Sequence, residues 1–385
     1  MSRFYRHEAS SSDPMHEHYQ IDDTSQIISP GLVVFRDLVE SNIERMVEMA
    51  GDASRLRPHC KTHKMREVVR LQMDSGITKH KCATFAEAEM LADTGVNDIF
   101  LAYNIVGPNL GRAVEFVETF SHVTLSVTAD HAEPIRRLGE AMSRAGRTID
   151  VLLDIDTGQH RTGIAAGAPA TELYGRIVEA AGLNPGGLHI YDGQNHQTDV
   201  GERRVAVDAC WSQAIGLHDQ LLAKGWPVPR IVAGGTASFP LYAEKNHPAL
   251  ELSPGTLVFH DVGYRETLPD LNFVPAALIL TRVVSCPTSE RITVDLGYKS
   301  CAADEPMGRR VEFPDLPDAV QVLQDEEHLV LQTNRASEFA PGDELLAIPR
   351  HICPTSALHK QAHVVSGGKV VDRWEVAARD RWLTI

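Results

Sequence analysis

No stretch of the 385-residue chain approaches the roughly 20 consecutive apolar residues that a membrane helix needs. The opening "MSRFYRHEASSSDPMHEHYQIDD" is polar and acidic and lacks the apolar core of a secretory signal. Positive charge is scarce: 37 Lys and Arg face 52 Asp and Glu, a net charge of −15. That deficit excludes nucleic acid and anionic membrane as the main partner, because phosphate binding rests on excess basic side chains. Cysteine is too sparse for a disulfide framework. The six residues, at 60, 82, 210, 286, 301 and 353, are scattered as in a reducing compartment, and a cytoplasmic protein is expected. The only low-complexity tract is Ser10–Ser12.

What is present has the makeup of a globular protein, with 43% hydrophobic and 23% charged residues. The length suggests two domains. Residues 1–25 are expected to form an N-terminal arm. From 26 to 262, short β-branched runs alternate with amphipathic helical stretches. The runs are "GLVVF", the segment into Lys61, "KHKCAT", "DIFLAY", "HVTLSV", "IDVLLDID", "GLHIY" and "RIVAG". Eight strands each followed by a helix predict an α/β fold built on a parallel (β/α)8 barrel, with an open doubly wound sheet as the alternative. Residues 263–385 turn to short strands with Gly-Gly and Pro-Gly turns, the texture of a mostly antiparallel β domain.

Five segments carry possible chemistry. "RPHCKTHK" (57–64) gathers Arg57, His59, Lys61, His63 and Lys64. If it is extended, residues 57, 59, 61 and 63 share a face, and Lys61 at a strand end could form a Schiff base with a carbonyl. A solvated basic loop is the plain alternative. "VAGGTASF" (232–239) and "ELSPGTLVFHD" (251–261) place Gly235, Thr236, Gly255 and Thr256 where backbone N–H groups could cradle a phosphate. Either is equally an ordinary glycine turn. His351 and Cys353 in "PRHICPTSALH" are two apart and would share a face if extended, as Pro354 favours. An imidazole and a thiolate suit zinc, while manganese or magnesium prefers oxygen. Arg161 in "DIDTGQHRTG", and Tyr191 and His196 in "HIYDGQNHQ", lie in polar loops after apolar strands.

Together, "RPHCKTHK", "KCATFAEAEMLADTGVNDIFLAYNIVG", "GGTASF", "ELSPGTLVFHD" and "HICPT" resemble, in this order, the D-threonine aldolase and D-serine dehydratase family of pyridoxal-phosphate enzymes. The resemblance runs from about residue 25 to the C-terminus. It implies a barrel of the alanine racemase type carrying pyridoxal 5'-phosphate on Lys61, with Gly235, Thr236, Gly255 and Thr256 at the phosphate and Arg161 and Tyr191 at the ring. It implies a divalent metal on His351 and Cys353, a D-amino acid substrate and a homodimer. Two departures stand out. Cys353 matches the dehydratase branch, whereas the aldolases carry a carboxylate there. The aldolases also place a histidine six residues after the tyrosine, where this chain has Gln197, with His196 one residue earlier. His196 is the candidate base. The expected reaction is retro-aldol cleavage of a D-3-hydroxy amino acid to glycine and an aldehyde. Dehydration of D-serine is the alternative, and a racemase or a non-catalytic cofactor binder is more remote.

Overall fold

The computed structural model describes residues 18–385. Most of the proposed arm therefore lies outside the described residues. Of its remainder, Tyr19 and Ile21 are buried. The Tyr19 ring stands edge-on to Phe35 with centroids 5.2 Å apart, and its hydroxyl donates to the Pro275 carbonyl at 2.9 Å.

The chain divides into two compact units. One comprises the described residues up to Asn42 with Val258–Glu266 and Leu271–Val376; the other comprises Ile43–Leu257, Thr267–Asp270 and Ala377–Ile385. The sequence boundaries at 26 and 263 differ from this division: residues 26–42 belong with the β unit, and the last nine residues belong with the barrel.

In the β unit, β1 (Gly31–Phe35) is flanked by strands from much later in the chain. It runs antiparallel to β9 (Ala277–Thr288) and parallel to the strand Gln361–Ser366. "GLVVF" is thus not a barrel strand. All five of its residues are buried, and an apolar run of that length suits a central strand of any doubly covered sheet.

The barrel sheet runs in the order β2 (Lys79–Cys82), β3 (Asp98–Asn104), β4 (Thr124–Ala129), β5 (Ile149–Ile155), β6 (Leu183–Ile190), β7 (Ile231–Ala233) and β8 (Leu250–Leu252). Every neighbouring pair is parallel. Residues 56–60 close the ring. The Arg57 N–H donates to the Leu252 carbonyl at 2.8 Å on one side, and the Cys60 N–H to the Lys81 carbonyl at 2.9 Å on the other. The eighth stave is therefore supplied by "LEL" (250–252), in place of "GLVVF".

Local signals fix the intervening helices. The Thr84 hydroxyl accepts the Glu87 N–H at 3.1 Å to start the helix Phe85–Thr94. Gly95, left-handed at φ 101°, ends it. Inside the ring, Phe100, Leu152 and Val232 pack as one buried cluster, the side-chain filling expected of an eight-stranded barrel.

Candidate active site

The ring-closing stave divides the basic octapeptide by depth. Arg57, fully buried, points to where the strands begin, and its Nε donates to Glu251 at 2.5 Å. Its terminal nitrogens donate to both carboxylate oxygens of Asp98, at 2.8 and 2.9 Å. Lys79 adds a contact to Glu251 at 2.8 Å. Burial alone would raise the Glu251 carboxyl, but Arg57 and Lys79 outweigh it and hold it at about 2.

The alternation stops at Cys60. Residues 61–63 form a turn, and Lys64 enters the left-handed region at φ 55° and pairs with Glu87. His63 is buried, and burial pushes its imidazole down to about 3. The expected single face of four cations is therefore not formed. Arg57 and Lys64 are neutralised by carboxylates, and Lys61 stands at the strand end.

Lys61 Nζ lies 5.9 Å from the centre of the Tyr191 ring. The Arg161 guanidinium carbon lies 4.8 Å from the same centre. The ring is hemmed in by two glycines: a Cβ added at Gly193 would come within 2.6 Å of it and one at Gly235 within 3.0 Å. The two glycine loops are tied to each other. Thr236 Oγ1 accepts the N–H groups of Gly255 at 3.4 Å and Thr256 at 3.0 Å. Beneath them the Gly235 N–H donates to Ser238 Oγ at 3.1 Å, and that hydroxyl donates to buried Asp192 at 2.7 Å. Burial raises the Asp192 carboxyl, against its bonds from Ser238 and Asn195. A Cβ at Gly255 would fall 3.8 Å from Lys61 Cε, so the second loop borders the lysine.

Pyridoxal phosphate requires an amine for its aldehyde, small-residue backbone for its phosphate and a flat surface beside its ring. Lys61, the small-residue Gly-Thr loops beside it and the half-buried Tyr191 ring match those requirements. His59, Cys60 and Glu87 also bring ligand-type atoms within 4.8 Å of one another. They are not a metal set, because Glu87 is committed to Lys64, to the Ala83 N–H at 2.6 Å and to the Cys60 thiol at 3.7 Å.

Sequence reasoning missed three residues in the bore. Lys81 Nζ lies 2.8 Å from His189 Nε2, and His189 Nδ1 lies 2.7 Å from Asp154 Oδ1, all three buried. Lys81 is 5.8 Å from the Tyr191 ring centre. A usable signal existed: both faces of a parallel barrel strand are covered, so a lysine within "KHKC" needs a partner.

His196, read as the base, is exposed, with its Nδ1 3.4 Å from the Gly193 carbonyl oxygen. In the β unit, His351 and Cys353 do come together, but not on an extended strand. His351 is the N-cap and Cys353 the second residue of the short helix Ile352–Leu358. Pro354 is accommodated because a first-turn residue needs no N–H donor. The side chains of His351 and Cys353 are hydrogen-bonded, and Asp304 contacts His351 Nδ1. Burial opposes charge on His351, yet Cys353 and Asp304 carry it up to about 9. Asp261, buried beneath this corner, accepts the Ile352 N–H at 3.1 Å. Among the described residues no helix is long and apolar enough to cross a membrane.

This ring, with a lysine at the end of its closing stave and a separate mixed sheet, defines the alanine racemase-like class. The alanine racemase N-terminal domain model matches residues 34–261, and the serine dehydratase domain model matches 276–365. D-threonine aldolase from Arthrobacter sp. is 30% identical over 93% of this chain and 94% of that protein. 3-Hydroxy-D-aspartate aldolase from Paracoccus denitrificans is 28% identical over 93% and 94%. D-threo-3-hydroxyaspartate dehydratase from Delftia sp. is 25% identical over 90% and 96%. The solved D-threonine aldolase from Filomicrobium marinum superposes with a TM-score of 0.84 at 30% identity, covering 91% of this chain and 96% of that one. The chain belongs to this family of lyases.

Proposed function

We propose that the protein is a pyridoxal-phosphate- and divalent-metal-dependent lyase that cleaves D-3-hydroxy amino acids to glycine and an aldehyde. The observation that carries this reading is Lys61 at the end of the ring-closing stave, with the Tyr191 ring before it and the Gly-Thr loops bonded through Thr236 at its side. Lys61 would hold the cofactor, Gly235, Thr236, Gly255 and Thr256 its phosphate, and Arg161 and Tyr191 would line its ring. His351 and Cys353 would hold the metal, with Asp304 orienting the imidazole. The thiolate favours zinc over manganese or magnesium. When bound, the cofactor supplies an electron sink at Cα and the metal a Lewis acid for a hydroxyl oxygen.

The chain's own residues bind and orient. Arg57, Asp98 and Glu251 make the floor of the bore rigid, and the Asp192–Ser238–Gly235 bonds fix the phosphate loop against Tyr191. His196 would have to leave the Gly193 carbonyl and turn inward to meet a substrate, so we assign it no part in the step.

The dehydratase reading has Cys353 in its favour, as the branch that carries a thiolate there. Incubation of the holoenzyme with D-threonine, D-serine and D-3-hydroxyaspartate separates the two. Glycine with an aldehyde is expected; an oxo acid with ammonia would make the protein a dehydratase.

A further inference from the structure

Lys81, His189 and Asp154 sit on three barrel strands, β2, β6 and β5, and meet only through folding. Their hydrogen bonds have one consistent direction. Asp154 accepts from His189 Nδ1 at 2.7 Å, which leaves Nε2 as an acceptor for the Lys81 ammonium at 2.8 Å. The Lys81 backbone pairs with the ring-closing stave, but neither that stave nor the phosphate loops use the three side chains. A buried lysine with a single polar partner is costly to keep charged. The Tyr191 ring lies 5.8 Å from Lys81 and 5.9 Å from Lys61, so both amines border the same ring.

We propose that Lys81, backed by His189 and Asp154, is a buried proton relay that delivers the proton to Cα of the glycine product. This inference rests on the lyase reading. The balance closes without a co-reactant. Cleavage leaves the Cα–Cβ bonding pair on Cα, a Lys81 N–H bond breaks, and the new Cα–H bond takes the proton. That proton comes from the β-hydroxyl: the neutral Lys81 amine takes it as the Cα–Cβ bond breaks, so the amine ends the turnover as it began. His189 and Asp154 are positioning residues.

The surroundings favour a lysine that changes charge near neutrality. Burial, then Lys61 and Arg161, lower the Lys81 amine, while Asp154 and Asp192 hold it up; the outcome is about 7. His189 stays a neutral acceptor, its imidazole lowered by burial and by Lys81. His59, bridged to β2 beside Lys81, is also kept neutral, by burial and the nearby lysines.

The test uses the holoenzyme in D2O and follows loss of the glycine Cα proton by NMR. Lys81→Met should slow that exchange by about 10²-fold or more, while keeping the visible absorbance of bound cofactor because Lys61 is intact. Lys81→Arg restores charge but cannot release a proton, and it should be equally slow. Exchange within threefold of wild type in either variant overturns the relay. A second readout needs no substrate: in wild type, the 13C-labelled Lys81 ε-carbon should titrate within about one unit of pH 7. Asp154→Asn should move that midpoint lower, since an anion is lost. A wild-type midpoint above 8, or no shift in Asp154→Asn, sinks the proposal even if Lys81→Met fails to fold. A wild type that cleaves no D-3-hydroxy amino acid sinks the lyase reading instead, and leaves the titration to judge the relay.

Discussion

The barrel bore and the His351–Cys353 corner prepare polar groups in opposite ways. In the bore, Arg57 is fully buried and meets two carboxylates, and Lys81 is 3% exposed. Each of these cations is positioned by strand register and desolvated before any ligand arrives. At the corner, the His351 side chain is 39% and Asp304 50% exposed, and both ligand candidates hang on one turn of a seven-residue helix. Burial makes the bore precise; exposure leaves the corner open to exchange with solvent, although Cys353 and Asp304 still raise His351. A cofactor held for many turnovers suits the first, and a metal that must admit a substrate hydroxyl suits the second.

The sharpest way to break the comparison is at Lys61. Lys61→Ala should abolish the visible absorbance of bound cofactor and lower kcat by about 10⁴-fold, the upper end for loss of one catalytic group. Absorbance that survives would move the cofactor elsewhere. At the corner, chelation or Cys353→Ala should cost about 10³-fold, from loss of the Lewis acid. Activity of chelated wild-type protein should return when metal is added back. Activity untouched by chelation would make His351 and Cys353 structural.

The next effect is on stability and tests whether the bore is pre-set. Glu251 is held at about 2 rather than its ordinary 4.5. A depressed carboxylate contributes stability that is complete above its unfolded value and is lost as pH falls through the folded value. Unfolding midpoints should therefore fall as pH drops from about 4.5 to 2. Glu251→Gln should cost about 3 kcal/mol at pH 7, the low end for breaking a buried pair because Asp98 still meets Arg57, and it should flatten that acid slope. An unchanged slope would mean that the pair is not coupled to folding.

The sequence made the class of fold legible because βα alternation and the motif order survive translation into structure, but two staves were exchanged. "GLVVF" and "LEL" differ only in length and apolarity, so the pattern favours the longer run as the barrel strand, yet it pairs with β9 and the strand Gln361–Ser366. Pairing is a long-range choice that periodicity does not record. Lys61 and the Gly-Thr loops stand out only through the order of the five motifs, since each segment alone reads equally as a loop or a turn. Lys81 and His189 do not, because a bore-facing lysine and a solvated one look alike in a single strand. Asp304 was invisible for a similar reason, lying 47 residues before His351.

A smaller effect tests the corner's support. Asp304→Asn keeps the shape and removes the charge that orients His351. It should weaken metal binding by about 10–100-fold, as loss of an outer-shell partner does, while the cofactor absorbance is unaltered. Equal metal affinity in calorimetric titration would show the contact to be incidental.

The smallest effect expected is at His196. Its ring is exposed and its Nδ1 faces the Gly193 carbonyl at 3.4 Å, while Lys81, His189 and Asp154 are already hydrogen-bonded to one another inside the bore. A general base must come within hydrogen-bond reach of the proton that it takes, and such a group is worth about 10²–10⁴-fold. His196→Ala should therefore keep kcat within threefold, measured as glycine formation at saturating substrate across pH 6–9. A loss of about 10²-fold or more would bring the 193–197 loop inward during turnover. That would place one acid–base group on a movable loop and another in the rigid bore, and the bore would no longer hold all of the proton chemistry.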